Sequence, residues 1–214
     1  MTGAIDPQPT REQQHTDTVL RLGGWLFAQR TWLPLPLALA LLLIRAGEAP
    51  RSPAVAAAGL LIVVAGESLR LWAVRHIGVI SRTRSDRLGP LVTSGPFAVV
   101  RNPLYLGNIA LWVGFAVSAR LLWLAPVFVA VLGFEYHAIV RWEERLLESR
   151  RGEEYRGYMA RVPRWCPSPQ GRTTSHAPPA PNRWRDALFS ERGTLIAIGV
   201  GCLLLWMKSA LGRI

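Results

Sequence analysis

Apolar residues gather in five runs along the chain, at 31–46, 53–74, 103–119, 121–140 and 193–207, each bounded by charged or proline-bearing stretches. A helix crosses a bilayer core with about 20 apolar residues, within a range of roughly 17–25. The runs at 53–74 and 121–140 reach that length, and 103–119 lies at its lower limit, about 25 Å at 1.5 Å per residue. The run at 31–46 is short, although Trp25, Leu26 and Phe27 extend it if Arg30 snorkels to the interface. The run at 193–207 is the shortest. The pattern predicts an all-α, polytopic membrane bundle of about five spans. A cleaved signal peptide is not expected, because the first 18 residues are polar and no small-residue cleavage site follows the first apolar run.

The connections refine this outline. Residues 1–30 read as a polar tail followed by an interfacial helix over 18–29, with Val19, Leu22, Leu26 and Phe27 toward lipid. A core follows over 31–166. It opens on Pro34 and Pro36, placed where proline removes few helical hydrogen bonds. Ala-Pro-Arg-Ser-Pro at 49–53 and Ser118-Ala119-Arg120 are tight external turns. Residues 75–102 form a long loop on the opposite side, and 141–165 prolong the fourth span as a charged helix. The Pro-, Ser-, Thr- and Gly-rich segment 167–187 reads as a flexible linker to a final span at 188–214.

The net charge of +11 is unevenly placed. Segments 1–30, 75–102 and 141–192 hold nineteen basic residues; 45–52, 120 and 208–214 hold five, and Arg70 lies within an apolar run. Positive loops stay cytoplasmic, so this asymmetry predicts a cytoplasmic N-terminus and an external C-terminus. A nucleic-acid partner would require a basic face on a soluble module, which the chain lacks. Lys208 is the single lysine among 25 basic residues, a skew that resembles GC-rich coding and points to a bacterial inner membrane. Cys166 and Cys202 fall in different segments without metal-ligand spacing, so neither a disulfide nor a metal site is expected.

Three clusters carry possible chemistry, and each has a plain structural alternative. Arg101-Asn102-Pro103 opens the third span. Asn102 suits an N-cap and Pro103 the first turn, so the helix start would offer backbone N–H groups and a positive dipole end to an anion. Alternatively, Arg101 anchors to headgroups and Tyr105 joins the aromatic belt. On the fourth helix His137, Arg141, Glu144 and Glu148 share one face, beside Glu135 and Glu143. Ionisable groups at depth usually face a bundle interior, yet i,i+4 pairing on an emerging helix explains part of the stripe. The third cluster, Tyr155-x-x-Tyr158-x-x-Arg161-Val162-Pro163-Arg164-Trp165, suits either an interfacial tail or a pocket wall.

Taken in order, GPFAVVRNPLYLG, a two-span hairpin, and EERLLESRRGEEYRGYMARVPRW resemble the isoprenylcysteine carboxyl methyltransferase and phospholipid methyltransferase superfamily over roughly residues 70–167. The resemblance implies a helical membrane enzyme that uses S-adenosyl-L-methionine in a pocket at the cytosolic face, with a lipidic or small hydrophobic methyl acceptor arriving from the bilayer. It implies that Arg101, Asn102, Tyr105 and Gly107 contact the cofactor, that Glu143 and Glu144 bind its amino or ribose groups, and that Tyr155 and Tyr158 close the pocket. Gly78 matches a loop glycine near the cofactor, and Arg161 and Arg164 match positions facing the substrate. Two positions depart from the pattern: Asn102 replaces the common histidine, and Arg151 stands where an aromatic residue usually precedes Gly152.

Methyl transfer from a sulfonium is an in-line displacement that needs proximity and orientation more than strong acid or base catalysis. Were the acceptor an anionic thiol or carboxylate, Arg164 would position it; were it an amine, Glu144 is the candidate base. Prenylated-protein carboxyls, phospholipid amines, small thiols and isoprenoid acids are all admissible acceptors. Two alternatives stand beside this one: an NADPH-dependent membrane reductase of the steroid 5-reductase type, and a non-catalytic membrane partner protein.

Overall fold

The computed structural model describes residues 11–83, 91–168 and 182–211. Among these the structure is all-helical: α1 (Arg11–Gln29), α2 (Pro34–Leu43), α3 (Pro53–Thr83), a 3-10 turn (Gly95–Ala98), α4 (Pro103–Ser118), α5 (Leu124–Arg151), α6 (Glu153–Arg161) and α7 (Trp184–Leu211). Proline opens α2, α3 and α4, where its missing N–H and fixed φ suit the first turn.

By length and composition, three helices can cross a membrane: α3 over Pro53–Ile77, α5 and α7. A fourth crossing arises if α1 and α2, bent by 60° at their junction, form one broken span. Prolines at 34 and 36 account for the break, because neither can donate to the preceding turn. The fifth expected span, α4, has 16 residues and so rises only about 24 Å. Its two ends nevertheless meet opposite sides of the bundle: Arg101 N–H donates to Pro163 O at 2.9 Å, and Ala49 N–H donates to Arg120 O at 2.8 Å.

Several sequence expectations change. The helix expected at 18–29 starts at Arg11 and packs along α5, with Leu26 buried and Phe27 against Trp142 at 5.0 Å. Residues 75–83, expected in a loop, prolong α3, so Gly78 lies in a helix. The expected linker lies largely outside the described residues, and α7 begins at Trp184 rather than 188. The charged helix expected over 141–165 is two helices. Gly152, with φ 51° and ψ −123°, adopts a conformation open only to glycine, and α6 turns back on the bundle from there.

Glycines set the α3–α4 crossing. A Cβ at Gly114 would lie 2.7 Å from Val63, one at Gly66 2.8 Å from Gly107 O, and one at Gly107 2.5 Å from Arg70 Cγ. Small residues let the two backbones approach closely, as membrane helix pairs require. Beyond α4 the chain reverses through a Schellman motif: Leu121 N–H reaches Ala116 O and Arg120 N–H reaches Val117 O. Arg120 occupies the left-handed position at φ 63°, usually glycine's. Its side chain is held there by Glu48 at 2.5 Å and Ala49 O at 3.0 Å.

The last helix is fastened at both ends. Near its start, Asn182 exchanges hydrogen bonds with Arg75, whose guanidinium lies 4.4 Å above the Trp184 ring. Near its end, the Lys208 ammonium donates to Leu41 O and Ile44 O at 2.8 and 2.5 Å and pairs with Glu48 at 3.1 Å. It therefore runs antiparallel to α3 over the full height of the bundle. Its outer face, with Phe189, Ile196, Leu203 and Trp206, is exposed and apolar, as are Leu61 and Val64 of α3 and Val131 and Phe134 of α5. Such a surface suits lipid.

The crossing gives a direct test. Gly114→Val should overpack the Val63 contact and destabilise the protein by about 1–3 kcal/mol, read as a lower unfolding midpoint in detergent. Gly133→Ala, whose added methyl meets nothing within 4 Å, should not lower the midpoint.

Candidate functional site

The segment after α6 brings the sequence-distant motifs together. Val162 is extended and buried, as expected of a residue before proline. The following residues lie along the loop before α4: Arg101 N–H bonds Pro163 O, Asn102 Nδ2 donates to Arg164 O at 3.2 Å, and Ser168 N–H bonds Val99 O at 3.0 Å. Gly95, at φ 60°, starts the 3-10 turn directly against the His76 ring, where a Cβ would come within 2.5 Å. Asn102 sits at the N-cap position, but its side chain is spent on Arg164 O and does not cap the helix. The first backbone N–H groups of α4 thus lack the side-chain acceptor that the sequence suggested.

Glu144 is the centre of this arrangement. Its carboxylate accepts from Arg164 Nε at 3.1 Å and Nη2 at 2.5 Å, in a two-pronged contact, and pairs with Arg101 Nη1 at 2.9 Å. Bidentate guanidinium–carboxylate contacts are among the stronger charge-assisted bonds. One carboxylate shared by two guanidiniums leaves a net positive charge. Arg101 also lies beside the Tyr155 phenol; its Nε and Nη1 are buried without a hydrogen-bond partner among the described residues, Nη1 meeting Glu144 as an ion pair. The hydrogen bond to Glu144 raises the Arg164 pKa further.

Glu143 has different company. It accepts a hydrogen bond from the Tyr105 hydroxyl at 3.1 Å. The charge of Arg30, at the junction of α1 and α2, reaches both groups. The Tyr105 ring lies 4.7 Å from that of Tyr136. On the other side of Glu144, Tyr155 and Tyr158 are buried with ring centroids 5.9 Å apart, among Val162, Leu91, Leu147 and Met159. Tyr158 donates to Phe97 O at 2.8 Å, tying α6 to the 3-10 turn. Burial is the main cause that lifts both phenols above their ordinary range, so both stay neutral.

Of the residues singled out in the sequence, the structure gathers Arg101, Asn102, Tyr105, Glu143, Glu144, Tyr155, Tyr158 and Arg164. Gly107 lies at the α3–α4 crossing against Arg70, and Arg161 is exposed at the end of α6. Gly78 is within α3 rather than in the loop expected for it. His137 is exposed and Glu135 buried on α5. Sequence reasoning missed Tyr136, Arg30 and Asn108. Helical spacing carried a signal for two of them: Tyr136 precedes Glu143 by seven, and Asn108 follows Tyr105 by three. All four tyrosines of the chain border this one region.

Comparison with known proteins agrees with the resemblance read from the motifs. Residues 54–153 match the phospholipid methyltransferase family, which spans α3 to the α5–α6 junction. A nickel-cobalt-cadmium resistance protein, NccN, of Alcaligenes xylosoxydans xylosoxydans is 33% identical over 98 residues, covering 46% of this chain and 43% of that protein. A cobalt-zinc-cadmium resistance protein, CzcN, of Cupriavidus metallidurans is 31% identical over 98 residues, covering 46% and 42%. The chain thus aligns with less than half the length of these curated relatives. No solved structure matches it.

Removing the shared carboxylate should expose its cost. Glu144→Gln leaves two guanidiniums facing each other and should destabilise the protein by about 2–3 kcal/mol, below the range for a fully buried pair because Arg164 is partly exposed. Adding Arg164→Met should recover part of that loss in a double-mutant cycle read by thermal unfolding.

Proposed function

We propose that this chain is an integral membrane methyltransferase that binds S-adenosyl-L-methionine at the Arg101–Glu144–Arg164 and Tyr105–Glu143 cluster and methylates a lipidic or small hydrophobic acceptor. The observation that carries the reading is the division of labour between the two adjacent glutamates, within a segment that matches a methyltransferase family. The methyl donor ends in a zwitterion: an ammonium, a carboxylate and, further on, ribose hydroxyls. Glu143, whose hydrogen-bond donor is a neutral phenol rather than a guanidinium, leaves carboxyl oxygen free to meet the ammonium or hydroxyls. Arg101, with a buried Nε left over and the start of α4 beside it, suits the carboxylate.

S-adenosyl-L-methionine supplies a methyl group on a sulfonium, already activated for displacement. The protein's part is to hold and orient. Glu144 fixes the two guanidiniums, and with both oxygens occupied it serves better as their anchor than as the base the sequence suggested. Arg164 lies on the more exposed side of the cluster and is placed to meet an anionic acceptor. Tyr155 and Tyr158 exclude water from the inner wall, and a dry site strengthens each charged contact. The charge asymmetry supports a cytoplasmic position for this cluster, and the lysine-poor composition supports a bacterial inner membrane. The relatives' names tie those proteins to metal resistance, and a methylated membrane component is a route by which this chain would serve the same end.

Purified protein in detergent should bind S-adenosyl-L-methionine saturably. Glu143→Gln and Arg101→Met should each weaken binding about tenfold, equivalent to about 1.4 kcal/mol. With labelled donor and host membrane extract, a hydrophobic product should become labelled. Folded wild-type protein that binds no donor, or binds NADPH in its place, would refute the reading.

A further inference from the structure

A second polar cluster lies inside the bundle, where α3, α4 and α7 meet. Arg70 of α3 donates to Glu191 of α7 at 2.6 Å and to Thr194 at 3.2 Å, and its Nε lies 3.3 Å from Glu67. It also donates to Asn108 Oδ1 of α4. Arg70 and Glu67 are each 6% exposed, and Glu191 is fully enclosed. Ionisable groups at such depth are costly, and where they occur they usually serve a site. Fastening α7 would not by itself require them, because Lys208 and Asn182 already hold its two ends.

The cluster does not stop at Arg70. With Asn108 Oδ1 occupied by the guanidinium, the amide must turn its Nδ2 donors the other way. There the Asn108 amide faces the Tyr136 phenol. The Tyr136 ring packs on Tyr105, and Tyr105 donates to Glu143. An unbroken line of contacts therefore joins α7 to the carboxylate that meets Tyr105. Gly107 makes room for it, since a Cβ there would strike Arg70 Cγ.

We propose that Glu191 is a positioning residue for the Tyr105–Glu143 pair, acting through Arg70, Asn108 and Tyr136. By fixing the guanidinium, Glu191 fixes which way the Asn108 amide faces, and so the rotamer of Tyr136 on which Tyr105 leans. The last helix, outside the family-matching segment of residues 54–153, then becomes part of the site's support. The consequence for methyl-donor affinity rests on the function proposed above; the coupling itself does not.

The chain's four tyrosines make a selective probe, because all of them border the site. Full-length protein carrying ring-labelled tyrosine in micelles should show four Cζ signals, assigned by single Tyr→Phe changes. Glu191→Ala should move the Tyr105 and Tyr136 signals, spare Tyr155 and Tyr158, and weaken S-adenosyl-L-methionine binding about tenfold. Glu191→Gln, which keeps an acceptor for Arg70, should restore both signals and bring affinity to within about twofold of wild type. Lys208→Ala, which loosens the far end of α7, should lower the unfolding midpoint and leave all four signals in place. Asn108→Ala keeps the Arg70–Glu191 pair and should move the same two signals, which preserves the test if Glu191→Ala does not fold. Unmoved Tyr105 and Tyr136 signals in Glu191→Ala or Asn108→Ala, or equal movement in Lys208→Ala, would overturn the proposal. Should the signals move while wild-type protein binds no donor, the coupling stands and the methyltransferase reading falls.

Discussion

A carboxylate buried at the edge of a membrane must be paired, and the pairing of Glu144 organises its surroundings. Its partners come from the loop before α4 and the tail after α6, 43 and 20 residues away in the sequence. Pairing with both guanidiniums at once draws those segments against α5. The backbone bonds of Arg101 to Pro163 and Ser168 to Val99 then follow from the same approach. So do the burial of the two α6 tyrosines and the open start of α4, since Asn102 is used to hold Arg164 O.

The same constraint recurs at other heights in the bundle. Glu48, Arg120 and Lys208 form one clasp near the turns after α2 and α4, and Glu67, Arg70 and Glu191 form another within the helices. Lipid offers no hydrogen bonds, so every such group must find its partner in protein. Each clasp joins elements far apart in sequence, and together they fix the order of helices that apolar packing alone would leave loosely specified. In a membrane, the apolar side chains cannot drive association as they do in water. Polar pairs and close glycine crossings do that work here.

Much of this was legible in the sequence, for identifiable reasons. Apolar run length is a one-dimensional property, so α3, α5 and α7 could be seen directly. The α1–α2 break was hinted at by two prolines but not its 60° angle. The division of 141–165 at Gly152 was hidden, because an isolated glycine in a charged helical pattern does not announce a left-handed turn. Tyr105, Glu143, Glu144, Tyr155, Tyr158 and Arg164 were found through a shared motif order. Arg70 was noticed only as a charge in an apolar run, because its partners on α4 and α7 are 38 and 121 residues away. Partnerships of that range leave no local pattern. Arg161 shows the converse: its spacing fitted the motif, yet the turn after α6 leaves it on the surface.

Why two adjacent glutamates are present at all follows from helix geometry. Successive residues on a helix point about 100° apart, so Glu143 and Glu144 cannot serve the same partner. Glu144 turns toward the arginines and is neutralised by them. Glu143 turns toward Tyr105 and meets a phenol instead of a guanidinium. A single glutamate would have to choose between holding the arginines in place and offering a free acceptor. A guanidinium in contact would cancel the very charge that a cationic ligand needs. Separating the two tasks by one residue keeps a guanidinium pair and a carboxyl without a guanidinium partner side by side, the arrangement on which the proposed zwitterionic ligand rests. The Tyr105 hydroxyl occupies one Glu143 oxygen, and the Tyr105 ring packs on Tyr136, 4.7 Å away.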